Sequence, residues 1–347
     1  MSTIVTVLGE IPRDDLEGVT LTHEHIIFDL TCLHQKSETS NLKYLADAPI
    51  VMQNLGALRN QPYLSKDNLM MQNEEIALEE VKHFKKAGGG TIVDCTTEGI
   101  GRNLEILKKI SIGSGLNIIA ATGHYFEDSH PPHVKTDSKA ELAKRMIYEI
   151  ERGLGGIRCG MIGEIGTSWS ITSNEEKVLR AATIAQKDTG APLNVHVAAR
   201  SKPGNEILNI LEDEGADLSK VVMSHTDIGI TREELEYSLS LARRGCYVEF
   251  DTFGKDFYMP NYGKDGFFFP MNDIQRILVV KSLIDKGQLS HVLLSQDIWF
   301  KMSMRKYGGP GYDHILQNIV PKFRLLELSN EQIDTMLIEN PRNMLAF

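Results

Sequence analysis

Val19-Thr20-Leu21-Thr22-His23-Glu24-His25 is the stretch on which the reading of this chain turns. Its β-branched and apolar residues suit extended backbone, and the run ends in two histidines that flank a glutamate. Residues two apart in a strand point to the same side, so His23 and His25 project together while Glu24 faces away. Two neutral imidazoles at that spacing can hold one borderline-soft divalent cation. An HxH pair alone is a weak signal, equally compatible with two ordinary histidines in a short segment, so its meaning depends on what the rest of the chain places beside it.

Seven further runs read as strands: 91–96, 117–122, 160–165, 193–197, 221–225, 247–251 and 291–295, which with 19–25 makes eight. Amphipathic stretches at 74–87, 103–111, 138–152, 174–189, 205–214, 232–244 and 273–286 read as helices between them. Their punctuation agrees: Ser138 with Glu141 forms a capping-box pattern, Glu175 and Glu176 suit a helix start, and glycines follow several predicted helix ends. Such alternation signals βα units and a parallel sheet. No GxGxxG or GxxxxGK[ST] follows an early strand, which removes the usual nucleotide fingerprints of open sheets. The expectation is a (β/α)8 TIM barrel, one domain over 1–347, with a long loop at 30–73 after the first strand and a closing helix at 330–338. A βα loop of that length is more often functional than idle.

Composition sets the outer limits. The 347 residues are 41% hydrophobic and 24% charged, with a formal net charge of −10. That acidity argues against nonspecific binding to nucleic acid or to an acidic membrane surface, both of which need a basic face. No apolar run reaches the length of a membrane span, and the amino terminus has no basic segment followed by an apolar one. Cys32, Cys95, Cys159 and Cys246 are scattered without a CxxC pair, as reduced thiols would be. A soluble cytoplasmic protein acting on a small molecule is the expectation.

The candidate ligands recur at corresponding places. Glu164 lies in the fourth predicted strand, His196 in the fifth, His225 in the sixth and Asp297 just past the eighth. All approach the carboxyl ends of their strands, the face on which barrel enzymes place their chemistry. Any one of them could be a hydrogen-bonded core histidine or half of an ion pair. Together, four histidines and two carboxylates exceed the needs of one tetrahedral ion and suit two ions that share a bridge. In that arrangement His23, His25 and Asp297 hold one ion, His196 and His225 the other, and Glu164 spans both. A hydroxide between the ions is then the nucleophile, and Asp297 takes its proton. Zinc fits this donor set, as do manganese, cobalt and iron in their divalent states.

With Thr91-Ile92-Val93-Asp94, Gly160 to Gly166, Asn194-Val195-His196, Ser224-His225-Thr226-Asp227, Leu294-Ser295-Gln296-Asp297 and the late Glu339-Asn340-Pro341, the ordered set resembles the phosphotriesterase family of the amidohydrolase superfamily over essentially the whole chain. Many members bridge their metals with a carboxylated lysine in a pattern like GIIK. This chain has Glu164 instead, set one residue later, and so resembles a glutamate-bridged, lactonase-like branch. Because glutamate is shorter, a backbone adjustment or bulge is expected there. The resemblance implies hydrolysis of a lactone or ester, including phosphorylated sugar lactones, and a homodimer. Phosphoester hydrolysis at the same centre, and an idle barrel that merely binds metal, are the competing readings.

Substrate contacts are less specific. Tyr125 matches a position where lactonases set a tyrosine over the site, from which a phenol donates to a carbonyl or leaving oxygen. It could equally pack a loop. Lys301, Arg305 and Lys306 after the eighth strand, and Lys255 after the seventh, either hold an anionic substituent or belong to solvated loops of mixed charge. His124, His130 and His133 lack a strand-end partner pattern and read as loop residues.

Overall fold

A computed structural model describes residues 2–198, 201–227, 232–258 and 271–347. Eight parallel strands run in sequence order around a cylinder: β1 (Val19–Glu24), β2 (Gly89–Asp94), β3 (Asn117–Thr122), β4 (Met161–Gly166), β5 (Leu193–His196), β6 (Val221–Ser224), β7 (Tyr247–Phe250) and β8 (Val292–Leu294). Each of the seven successive neighbour pairs is parallel. Closure between β8 and β1 is made differently. Ser295 Oγ accepts from His23 N–H at 3.0 Å and donates to His23 O at 2.8 Å, while Asp297 N–H donates to the same carbonyl at 3.1 Å. The helical layer comprises α1 (Glu74–Lys86), α2 (Leu104–Ser114), α3 (Lys139–Glu151), α4 (Ser173–Thr189), α5 (Gly204–Glu214), α6 (Arg232–Ala242) and α7 (Asp273–Asp285), followed by Ile315–Ile319 and Val320–Leu325 after β8. This is the (β/α)8 barrel that the alternation predicts.

Local chemistry accounts for the element ends. The Ser138–Glu141 capping box is present at α3. α4 begins a residue earlier than its acidic residues suggest, because Thr172 caps it and Glu175 answers in a second capping box. The closing helix is longer than expected: Asn330–Asp334, Thr335–Glu339 and Asn340–Leu345 run together, and Asn340 Nδ2 donates to the carbonyls of Leu289 and Val292 at 2.8 Å each. An amino-terminal hairpin, Thr3–Thr6 with Gly9–Pro12, was not legible in the sequence. It pairs with the carboxyl terminus through reciprocal bonds between Thr3 and Phe347. The stretch after β1 is a folded excursion, with Phe28–Asp29 paired to Met70–Met71 and a short helix at Met52–Leu58.

Two apolar clusters divide along the period of two. Ile92, Ile118, Ile162, Val195, Met223, Val248 and Leu294 face the helices. Val93, Ile119, Met161, Val222 and Leu293 fill the barrel together with Ile4, Leu16, Met344 and Leu345 from the two termini. Among the described residues, no helix is long and apolar enough to cross a membrane.

Candidate metal centre

Strict alternation would aim two of the key side chains the wrong way. Leu21 and Ile162 both pack toward the helices, so residues two further on, His23 and Glu164, should do the same. Register irregularities correct this. Between Leu21 and Glu24, three steps on β1 oppose two on β2, and a second irregularity falls between Ile162 and Ile165 on β4. Each works as a bulge that turns its ligand candidate inward. The Gly163–Glu164 peptide is cis, and Gly163 has φ +106° with no room for a Cβ, which would meet Asn194 O at 2.1 Å. Only glycine serves there. The backbone adjustment expected at Glu164 is thus visible.

All six predicted ligands converge. Glu164 Oε2 lies 3.4 Å from His23 Nε2, 2.8 Å from His196 Nδ1 and 3.3 Å from His225 Nε2, while Oε1 lies 3.4 Å from His25 Nε2. Asp297 Oδ1 stands 3.2 Å from His25 Nε2 and 3.7 Å from His23 Nε2. Two ligands about 2.1 Å from one tetrahedral ion stand about 3.4 Å apart. The donors around His23, His25, Asp297 and Glu164 already have that spacing, and His23 Nε2 is buried with no hydrogen-bond partner. His196 and His225 sit closer, 2.8 Å apart, and would open slightly around an ion. The donor set fits divalent cations, which His23, His25, Glu164, His196, His225 and Asp297 would hold.

Backbone strain marks the same places. His225 and Asp297 are non-glycine residues in the left-handed region, at φ 58° and 47°. Such conformations persist where their surroundings over-determine them. His225 N–H donates to Asp251 Oδ2 at 3.1 Å, and the Glu24 carboxylate accepts from the N–H groups of Gln296 and Ile298, bracketing Asp297.

A ring of orienting groups went unread in the sequence. His23 Nδ1 faces Ser224 Oγ at 3.1 Å and Glu249 Oε2 at 3.2 Å; His225 Nδ1 faces Asp251 Oδ1 at 2.8 Å; His25 Nδ1 faces Thr96 Oγ1 at 3.0 Å. Partners of this kind fix which ring nitrogen is presented inward. The spacing Glu249-Phe250-Asp251 at the end of β7 could have signalled them, since it repeats the two-apart logic of the paired histidines.

Electrostatics follow from packing so many charges together. Burial would raise Asp297, but the Lys255 ammonium and the bond to His25 outweigh it and hold its carboxyl below the usual range. Burial would likewise raise Glu164, yet His23 and His196 hold it well down. His196 is lowered, by burial first and then by His225.

The remaining candidates separate. Tyr125 reaches the centre, its hydroxyl 3.3 Å from His196 Nδ1 and its ring edge-on to that imidazole. Lys255 also arrives there, as the buried ion-pair partner of Asp297 rather than as a cation held out to solvent. Lys301 and Arg305 do not: Lys301 pairs with Asp67 at 2.5 Å, and Arg305 grips Asp313 with two nitrogens at 2.9 and 2.6 Å. Their charges are answered by the chain's own carboxylates, and the Lys301 pair pins the excursion after β1 to the loop after β8. Lys306 contributes its backbone N–H to Glu80.

Comparison with known proteins agrees with this geometry. Over 350 aligned residues the chain is 43% identical to a phosphotriesterase-related protein of Nematostella vectensis, covering 99% of this chain and 98% of that one. It is 40% identical to the N-acetyltaurine hydrolase of Xenopus tropicalis, again covering 99% and 98%. Among solved structures, a resiniferatoxin-binding protein from Rhodobacter sphaeroides superposes with a TM-score of 0.94 at 35% identity, covering 99% of this chain and 94% of that one. The family model described as the phosphotriesterase family matches residues 2–345, and the chain therefore belongs to the phosphotriesterase family of hydrolases.

Proposed function

We propose that His23, His25, Glu164, His196, His225 and Asp297 hold two divalent ions, zinc by preference, and that the protein hydrolyses a carboxylic acyl bond. The observation that carries this reading is Glu164, whose two carboxylate oxygens face His25 on one side and His196 and His225 on the other. Bound among these donors, the ions would supply Lewis acidity toward the carbonyl and lower the pKa of a water held with them. Asp297, kept ionised by Lys255, accepts the proton of that water and delivers it to the leaving atom. Tyr125 stands where its hydroxyl can donate to the carbonyl oxygen as negative charge develops. Water adds to the acyl carbon, the bond to the leaving nitrogen or oxygen breaks, and a carboxylate departs with an amine or alcohol.

Lactones and esters are the substrates read from the sequence, and an amide presents the same electrophile. The relative named N-acetyltaurine hydrolase, 40% identical over nearly its whole length, favours an N-acyl amide with a small anionic tail. The test is a panel of N-acetyltaurine, an uncharged N-acetyl amine, a γ-lactone and an aryl phosphotriester with the zinc-loaded enzyme. Turnover of the acyl substrates is expected, N-acetyltaurine foremost. Hydrolysis of the phosphotriester alone would move the assignment to phosphoesters, and bound metal without any turnover would leave an idle barrel.

A further inference from the structure

A second group of metal-type donors lies outside the barrel, where the sequence suggested only loop residues. Glu98, in the turn Glu98–Ile100 after β2, His124, directly after β3, and His133, in the short helix Pro132–Thr136, each present one ligand atom within 4.8 Å of the other two. From these positions we propose a peripheral third site for a borderline divalent ion such as zinc, held by Glu98, His124 and His133. Two imidazoles and one carboxylate are a donor set that such ions favour, with a fourth position left to water.

Several observations support the site. His124 is 4% exposed, and its Nδ1 is buried with no hydrogen-bond partner; His133 Nε2 is buried and unpartnered as well. Buried polar atoms left unsatisfied cost free energy, and an ion would relieve both rings together. Of the cations that line the adjoining cleft, Arg102 is paired with Glu149 at 2.6 Å and Arg145 with Asp137 at 2.9 Å. A cleft of about 460 Å³ lined by Glu98, Arg102 and His124 gives access from solvent.

The three donors come from three segments that the fold presses together. Gly99 approaches Ser129 so closely that a Cβ there would meet its carbonyl oxygen at 2.1 Å, which holds the Glu98 turn against the segment leading to His133. His130 strengthens the same corner, its Nε2 donating to Tyr125 O at 2.7 Å. An ion at this place would clamp the segment that carries Tyr125 over His196. Its role is structural, and it differs from the central pair in position and in ligands.

Equilibrium dialysis against zinc, with metal counted per chain, tests this directly. The wild type is expected to take up three equivalents, and His133→Ala and Glu98→Gln two each. Glu98 is exposed, so its substitution leaves the core untouched. The double variant His23→Ala/His25→Ala should lose central metal yet keep the peripheral equivalent, so failure of the two assignments is distinguishable. Cobalt in the wild type should show a set of visible bands absent from His133→Ala. Equal metal content in wild type, His133→Ala and Glu98→Gln would overturn the proposal.

Discussion

The two ends of the barrel are built on opposite principles. At the amino-terminal end, Ile4, Leu16, Met344 and Leu345 seal a column of Val93, Ile119, Met161, Val222 and Leu293, all fully buried and apolar. At the carboxyl end, His23, His25, Glu24, Glu164, Glu249, Asp251 and Asp297 are buried as well, yet every one can carry charge. The floor joins the termini and closes the cylinder. The mouth concentrates unpaired donors, left-handed ligands and like charges, which stability alone would not retain. In a barrel enzyme the free energy of folding comes from one end and is drawn upon at the other.

Asp297→Asn separates the ends most sharply. Removing the proton acceptor while keeping the shape should lower kcat per folded molecule by about a thousandfold or more, and the Lys255 ammonium left without its buried partner should lower the denaturation midpoint as well. A comparable loss of stability without loss of chemistry would undo the contrast. The mirror experiment is Leu293→Ala, which removes buried methyl groups from the column. It should cost about 2–5 kcal/mol by denaturant titration, with kcat per folded molecule unchanged.

A third comparison uses pH. Burial alone would push the ring pKa values of His25 and His225 down, but Asp297 and Glu164 raise His25 to about 9, and Asp251 raises His225 to about 10. In the metal-free protein both rings therefore hold protons at pH 7, as does that of His23, which Glu164 and Asp251 help to hold well above its usual range against burial, and a metal must displace all three. Zinc uptake at pH 7 should release about three protons by calorimetry in buffers of different ionisation enthalpy, and apparent affinity should fall by up to about a thousandfold per pH unit below pH 8. Because these pKa values are raised, the stability they lend the metal-free fold is present in full below the unfolded value near 6.5 and is lost as pH rises through about 9–10. Uptake without proton release would contradict the charge arrangement of the mouth. The smallest effect expected is that of Glu249→Gln, which should weaken zinc binding by about 10- to 100-fold through loss of the partner to His23 Nδ1. Unchanged affinity would place Glu249 with the floor, as packing rather than support.

The strands were legible because a parallel barrel strand is a short apolar run with turn residues on both sides, and β3 has the bounds the sequence predicts. Where expected strands overran, as at His25 and His225, the chain leaves the ladder to present a side chain, and pairing ends one residue before the ligand candidate. The six convergent donors were legible from their recurrence at strand ends. Glu24 and Thr96 were not, since a residue that orients a ligand needs no special spacing in its own segment, and the two-apart pair Glu249 and Asp251 gains its meaning only once His23 and His225 are brought beside it. Between the two readings open for Lys301 and Arg305 the sequence could not choose for a related reason: a cation in a loop looks available until Asp67 and Asp313, 234 and 8 residues away, are brought beside them.

By itself the amino-acid sequence determined the (β/α)8 class and which six side chains reach one mouth, because periodicity and strand-end position are local properties that survive without coordinates. Only the tertiary structure decided which way each of them points and what answers its charge. Two bulges rotate His23 and Glu164 inward against their own alternation, Lys255 is spent on Asp297, and Glu98, His124 and His133 meet outside the barrel. Orientation and pairing depend on distances between segments far apart along the chain, and those distances exist only once the chain has folded.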